Sequence, residues 1–283
     1  MQLTSGRRAP VRDAIQTADP ARPAKRARAS QTASVSLTTW LSSSGTSADP
    51  AGLPAPVTSA TARVEDRNSV FIGYVYPLTN ASSTQISALL DNLTKVVHPT
   101  IPVNSLPPQF QNSAPSKRGS THDMYAYRVM ELKPGRDGLG GPGDFGTAQG
   151  QENDGENWGG EKVMRVIQDM GASDVLVIVS RWYGGELLGP VRFDHIIRVA
   201  RAALQHYMDE EALASYREQL RALDADITAA RAARQPATDA PSPPAAPGGA
   251  YADLTTEKAK RLLLARSKTL ATLRRGNALV PSQ

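Results

Sequence analysis

Sustained apolar periodicity begins near Ser69. The VLVIV run over 175–179 is unbroken, the pattern of a strand buried on both faces. The VFIGYVY run over 70–76 is a second strand, ended by Pro77, in which Gly73 marks a bulge or a close approach. Over 124–132 the chain alternates, with Tyr125, Tyr127 and Val129 on one face and Ala126, Arg128 and Met130 on the other. Helical spacing links Ile86, Leu89, Leu90 and Leu93 after a Thr84 cap, and Val163, Met164, Val166, Ile167 and Met170 before a Gly171 stop. A third helix follows Pro190, with Val191, Ile196, Val199, Ala200, Ala203 and Leu204 on its apolar face. Helices arriving between strands predict a two-layer domain of mixed class.

Beyond Leu204 the stripe narrows. Leu213, Tyr216, Leu220, Leu223 and Ile227 step by three and four, the seam of a short coiled-coil-like helix over 208–234. Isolated helices of about a dozen residues are barely stable in water, so this seam must pack on the domain, on a partner, or on a second copy in an oligomer. A Pro/Ala linker over 235–250 leads to a basic amphipathic helix over 251–275, with Leu262, Leu263, Leu270 and Leu273 among many Lys and Arg. Residues 1–67, rich in Ala, Ser, Thr and Pro, are predicted to form a disordered basic tail. The folded domain is then 68–207, with a Pro-rich insertion at 98–120 and a Gly-rich one at 133–152, both expected to lack regular elements.

The formal charge of +5 and the pI near 9.5 admit nucleic acid, ribosomes or acidic proteins as partners. No cysteine is present, which removes disulfides, thiolate nucleophiles and thiolate metal ligands. No apolar run approaches the ~20 residues of a membrane span and the amino terminus has no signal-like core, so no membrane partner and a cytoplasmic location are expected. Lys25-Arg26-Ala27-Arg28 is compatible with nuclear import.

The candidate chemistry is sparse. Asp154 and Glu156, two apart, point the same way if the chain is extended and would face one pocket; alternatively they favour the amino terminus of the following helix. His122 and His195 are candidate bases, but no Ser/His/Asp spacing accompanies them, and His98, His122, His195 and His206 lack metal-ligand spacing, so neither metal nor cofactor is expected. Gly184, Gly185 and Gly189 lie between strand and helix as in a phosphate loop, yet Pro190 stands where Lys is needed. Arg181, Trp182 and Tyr183 are of the types enriched at interface hot spots. Alternation leaves either Trp182 buried with Arg181 and Tyr183 available, or the reverse, and Arg181 could pair with Asp154 or Glu156.

Three segments in order carry a resemblance. SRWYGGELLGP with RFDHI, THDMYAYR over 121–128, and Asp154-Gly155-Glu156 after Asn153 resemble the signatures of the IMPACT family, Asn153 replacing its first Asp. The resemblance covers roughly residues 69–204. It implies an α+β fold like domain two of ribosomal protein S5. It also implies a non-enzymatic regulator of translation and amino-acid-starvation signalling that acts through protein contacts, with the activator of the starvation-responsive kinase or ribosome-associated proteins as partners. The matching positions form the expected binding set: His122, Tyr125, Tyr127, Arg128, Asp154, Gly155, Glu156, Arg181, Trp182, Tyr183, Gly184, Gly185, Gly189, Pro190, Phe193 and His195. Residues 1–67 do not resemble the RWD domain of eukaryotic relatives. Two other readings stay open, a nucleic-acid- or ribosome-binding module and a hydrolase using His122 with Asp154 or Glu156.

Overall fold

A computed structural model describes residues 52–233 and 251–278. The run Lys25-Arg26-Ala27-Arg28, most of the expected tail, and the 235–250 linker lie outside the described residues. Five strands form one antiparallel sheet: β1 (Arg63–Asp66), β2 (Ser69–Pro77), β3 (His122–Leu132), β4 (Phe145–Glu152) and β5 (Val175–Trp182), in the order β1-β2-β5-β3-β4. The longer helices are α1 (Ser83–Asn92), α2 (Gly159–Asp169), α3 (Val191–Ala232) and α4 (Thr256–Ala278). The class is α+β, as expected.

β5 is central, and every residue in it is buried. Its odd positions, Val175, Val177 and Val179, pack with Met124 and Ala126 against α2 and α3. Leu176, Ile178 and Trp182 share the other face with Tyr74 and Tyr76, beneath Leu89 and Leu93 of the α1 segment. A Cβ on Gly73 would lie 2.4 Å from the Val199 carbonyl oxygen, so the glycine marks a close approach of α3 rather than a bulge.

Four expectations change. The domain starts before residue 68: β1 pairs with β2 through Arg67 and Asn68, both at positive φ as a tight primed hairpin turn requires, and Val57 bridges Val75. The 133–152 stretch contains β4, an edge strand held by its ladder to β3 rather than by buried side chains, which is why FGTAQGQE shows no apolar signal. The 98–120 stretch is built of short helical turns, but its buried His98, Ile101 and Leu106 close the second face of the sheet, giving it a cover opposite α2 and α3. No break occurs at 207/208, since nothing there interrupts helical hydrogen bonding, and α3 runs unbroken for 42 residues. Leu213, Tyr216 and Leu220 in its outer half pack on Leu254, Ala259, Leu262 and Leu263, so the narrow seam is taken up by α4 of the same chain. No described helix is long and apolar enough to cross a membrane.

Candidate functional site

At the carboxyl end of β5 the two faces of the sheet receive different cargo. Trp182 is fully buried on the α1 face, donating its indole N–H to the Arg118 carbonyl at 2.9 Å and meeting His98 edge-on at 4.9 Å. Arg181, on the opposite face, is only 6% exposed, so alternation sent both residues inward. Its guanidinium donates to the buried Glu156 carboxylate, and the other oxygen of Glu156 takes Arg192 Nε at 2.6 Å. Arg181 also lies over the Phe71 and Tyr183 rings, at 5.3 and 5.4 Å from their centroids. Beside it, His195 Nε2 meets Asp66 Oδ2 at 2.8 Å, and that contact holds the Asp66 carboxyl below its ordinary range. β5, the start of α3 and the loop before α2 thus converge on one carboxylate shared by two arginines, with Phe71 of β2 against Arg181. A buried charge is tolerated only when paired in this way.

Asp154 does not join them. The chain turns at Asp154 and Gly155, whose φ values are 43° and 78°, so the two-residue alternation of an extended segment does not apply. The expected common pocket is therefore absent. Asp154 Oδ2 accepts the Asp123 N–H at 2.6 Å, and its carbonyl lies 2.7 Å from His122 Nδ1. A carbonyl only accepts, so His122 carries its proton on Nδ1. Neither carboxylate orients His122: Asp154 offers it a carbonyl, and Glu156 is engaged by two arginines. Asn153, at the position where the resemblance has Asp, accepts the Gly160 N–H at 2.8 Å and satisfies the first turn of α2. Asp154 instead lines a shallow depression of about 230 Å³ with Asp91, Asp123, Tyr125 and Glu152. Burial, then nearby carboxylates, raise the Tyr125 hydroxyl pKa. Among the described residues no group of three or more His, Asp or Glu is arranged to hold a metal.

The remaining predicted residues divide between two roles. Gly184 lies flat on the β1–β2 turn, where a Cβ would fall 2.2 Å from the Asn68 carbonyl carbon; Gly185 and Gly189, at φ 92° and 60°, bring the chain to Pro190 at the head of α3. Arg192 and Lys162 both lie over the Phe193 ring, at 4.3 and 5.6 Å from its centroid. Tyr183 is half-buried, its N–H held by Thr121 Oγ1. Tyr125 and Tyr127 pack on the α1 face. Arg128 lies at the far end of β3, opposite Val175, and donates to the Ala172 carbonyl at 3.0 Å. It does not belong to the cluster.

Sequence reasoning missed Trp158. Two residues after Glu156 and one turn before Lys162, it heads α2 at φ 70°, ψ 0°, and is 64% exposed. Left-handed backbone in a bulky aromatic is strained, and strain of this kind gathers at functional sites. The only signal in the sequence is a Trp inside a Gly-rich loop.

Residues 67–204 match the family model described as the Impact N-terminal domain. The chain is 32% identical over 144 residues to Protein IMPACT of Xenopus laevis, covering 51% of this chain and 36% of that one, and 41% identical over 86 residues to Protein IMPACT of Bos taurus, covering 30% and 24%. The match therefore spans about a third or less of these relatives. Among solved structures, the two-domain translational regulator Yih1 is 27% identical over 51% of this chain and 44% of its own, with a TM-score of 0.27, too low to establish a common shape.

Proposed function

Because the chain belongs, through residues 67–204, to the IMPACT family, we propose that it regulates translation in the cytoplasm by protein contacts and carries out no reaction of its own. The observation that carries this reading is the buried Glu156–Arg181–Arg192 network. Those signature residues are spent on one another, so they hold a surface in shape rather than touch a partner. The contact role falls to what they present at the same sheet end: Trp158, Tyr183 and the rim of Arg192. Trp, Tyr and Arg are the usual hot-spot types. By family analogy the partner is the activator of the starvation-responsive kinase or a ribosome-associated protein, met by the α+β domain itself.

The test is affinity capture from cell extract after nuclease treatment, comparing the intact chain with Trp158→Ala and Arg192→Ala. Loss of about 1–4 kcal/mol of partner affinity in the Trp158 variant, with unfolding unchanged, is the expected result. A folded Trp158 variant that captures the same proteins undiminished refutes the assignment.

A further inference from the structure

Between Thr256 and Arg275, α4 carries seven cations against one acid, Glu257. Three of the cations are neutralised: Lys260 by Glu257 at 3.5 Å, Arg266 by Asp224 at 2.8 Å and Arg274 by Asp226 at 2.9 Å. The other four, Lys258, Arg261, Lys268 and Arg275, are exposed and have no acid at ion-pair distance among the described residues. Their placement is regular. Arg261, Lys268 and Arg275 are seven apart, which returns to within about 20° of the same direction on a helix and sets them about 10 Å apart over about 21 Å. Lys258 lies one turn before the first, on the same side.

That side is opposite the buried one. Ala259, Leu262, Leu263 and Leu270 face α3, whose Asp224 and Asp226 draw only the flanking cations. Ala265 and Thr272 fill the gaps in the outer row, so little bulk separates the helix from a flat partner. The row contains no aromatic residue, and beside it Leu264 is the only large apolar side chain that α4 exposes among the described residues. This face offers no aromatic side chain to serve as the desolvated centre of a protein interface. A linear polyanion needs only spaced cations, since counterion release from phosphates supplies the affinity.

We infer that the outer face of α4 is an RNA-backbone site in which Arg261, Lys268 and Arg275 contact successive stretches of phosphate without reading bases. The choice of RNA over DNA rests on the translational reading proposed above. The site itself lies outside residues 67–204 and is independent of Trp158.

The experiment uses the full chain and a labelled 20-base-pair RNA duplex of arbitrary sequence, with affinity followed by anisotropy at 50 and 200 mM salt. Three phosphate contacts give a salt slope of about 2.7, so they account for about 40-fold of the weakening between these conditions. R261Q/K268Q/R275Q should lose that component while circular dichroism stays unchanged. K95Q/K117Q/R165Q, which removes equal charge from other exposed positions, should keep it. The inference is overturned if the α4 variant keeps the full slope, if the control variant loses as much, or if polyglutamate binds as tightly as RNA. A DNA duplex of the same sequence bound tenfold tighter than RNA overturns the RNA assignment. Protein capture after nuclease treatment reads the Trp158 surface alone, so failure of one idea is distinguishable from failure of the other.

Discussion

Replacing Glu156 by Gln removes the negative charge that Arg181 and Arg192 share while keeping the shape of the side chain. The two arginines respond differently. The Arg192 side chain is 27% exposed, so it can turn to water, and its pairing is worth about 1 kcal/mol or less. Arg181 is 7% exposed in its side chain, packs against the Phe71 and Tyr183 rings, and cannot leave. It becomes a buried cation without a counter-charge, which costs about 3–5 kcal/mol. For a domain of this size each kcal/mol lowers Tm by about 2–4 °C, so the fall should be roughly 6–20 °C. Thermal unfolding of the intact chain and of Glu156→Gln measures the fall and urea unfolding the free energy, with Arg181→Met and the double variant completing a cycle. The double variant should be less destabilised than the sum of the singles, because an apolar side chain needs no counter-charge. A loss below about 1 kcal/mol for Glu156→Gln, or strict additivity, refutes the claim that this network holds the sheet end together.

Three other outcomes follow from the geometry. His98 is fully buried against Trp182 and Ser180, and burial pushes its pKa down to about 4 from an ordinary 6.5. The folded state resists protonation that the unfolded chain accepts, so the contribution of about 3 kcal/mol is complete above pH 6.5 and lost as pH falls towards 4; urea titrations of wild type and His98→Gln should diverge across that window, and parallel curves would refute it. Gly73→Ala drives a methyl into the Val199 carbonyl, a backbone atom that cannot turn aside, and should lower stability by about 1–3 kcal/mol in thermal unfolding, whereas no change would mean that α3 can shift freely. Trp158→Gly relieves left-handed strain and should raise stability by about 1 kcal/mol while lowering partner capture, a split between calorimetry and binding that a merely structural Trp would not show.

The candidate site was legible in its ingredients and not in its assembly. Strand, glycine corner and helix over 175–204 were readable because one segment contains them all. Pairing of Arg181 with Glu156 followed from charge complementarity, and the structure chose Glu156 over Asp154 through a turn at positive φ that neither residue type demands. The expected division of Arg181 from Trp182 failed differently: their side chains do point to opposite faces, but this sheet is covered on both. Trp158 was invisible because exposure and a backbone angle leave no period in a sequence.

What the sequence determined by itself is the set of segments with a buried face: β2 and β5 are near-continuous apolar runs, β3 alternates with a spacing of two, and α1 to α4 follow spacing of three and four. Such spacing reports how much of a segment leaves water, and that is a local property. The tertiary structure alone decided what depends on distant partners. β1 and β4 exist because a neighbouring strand completes their backbone hydrogen bonds. α3 continues through the expected boundary, with α4 covering its outer seam, and the basic row of α4 faces outward because the opposite side is taken. Glu156 is paired inside the fold because two arginines from β5 and α3 reach it, a meeting across 25 and 36 residues that no local pattern records.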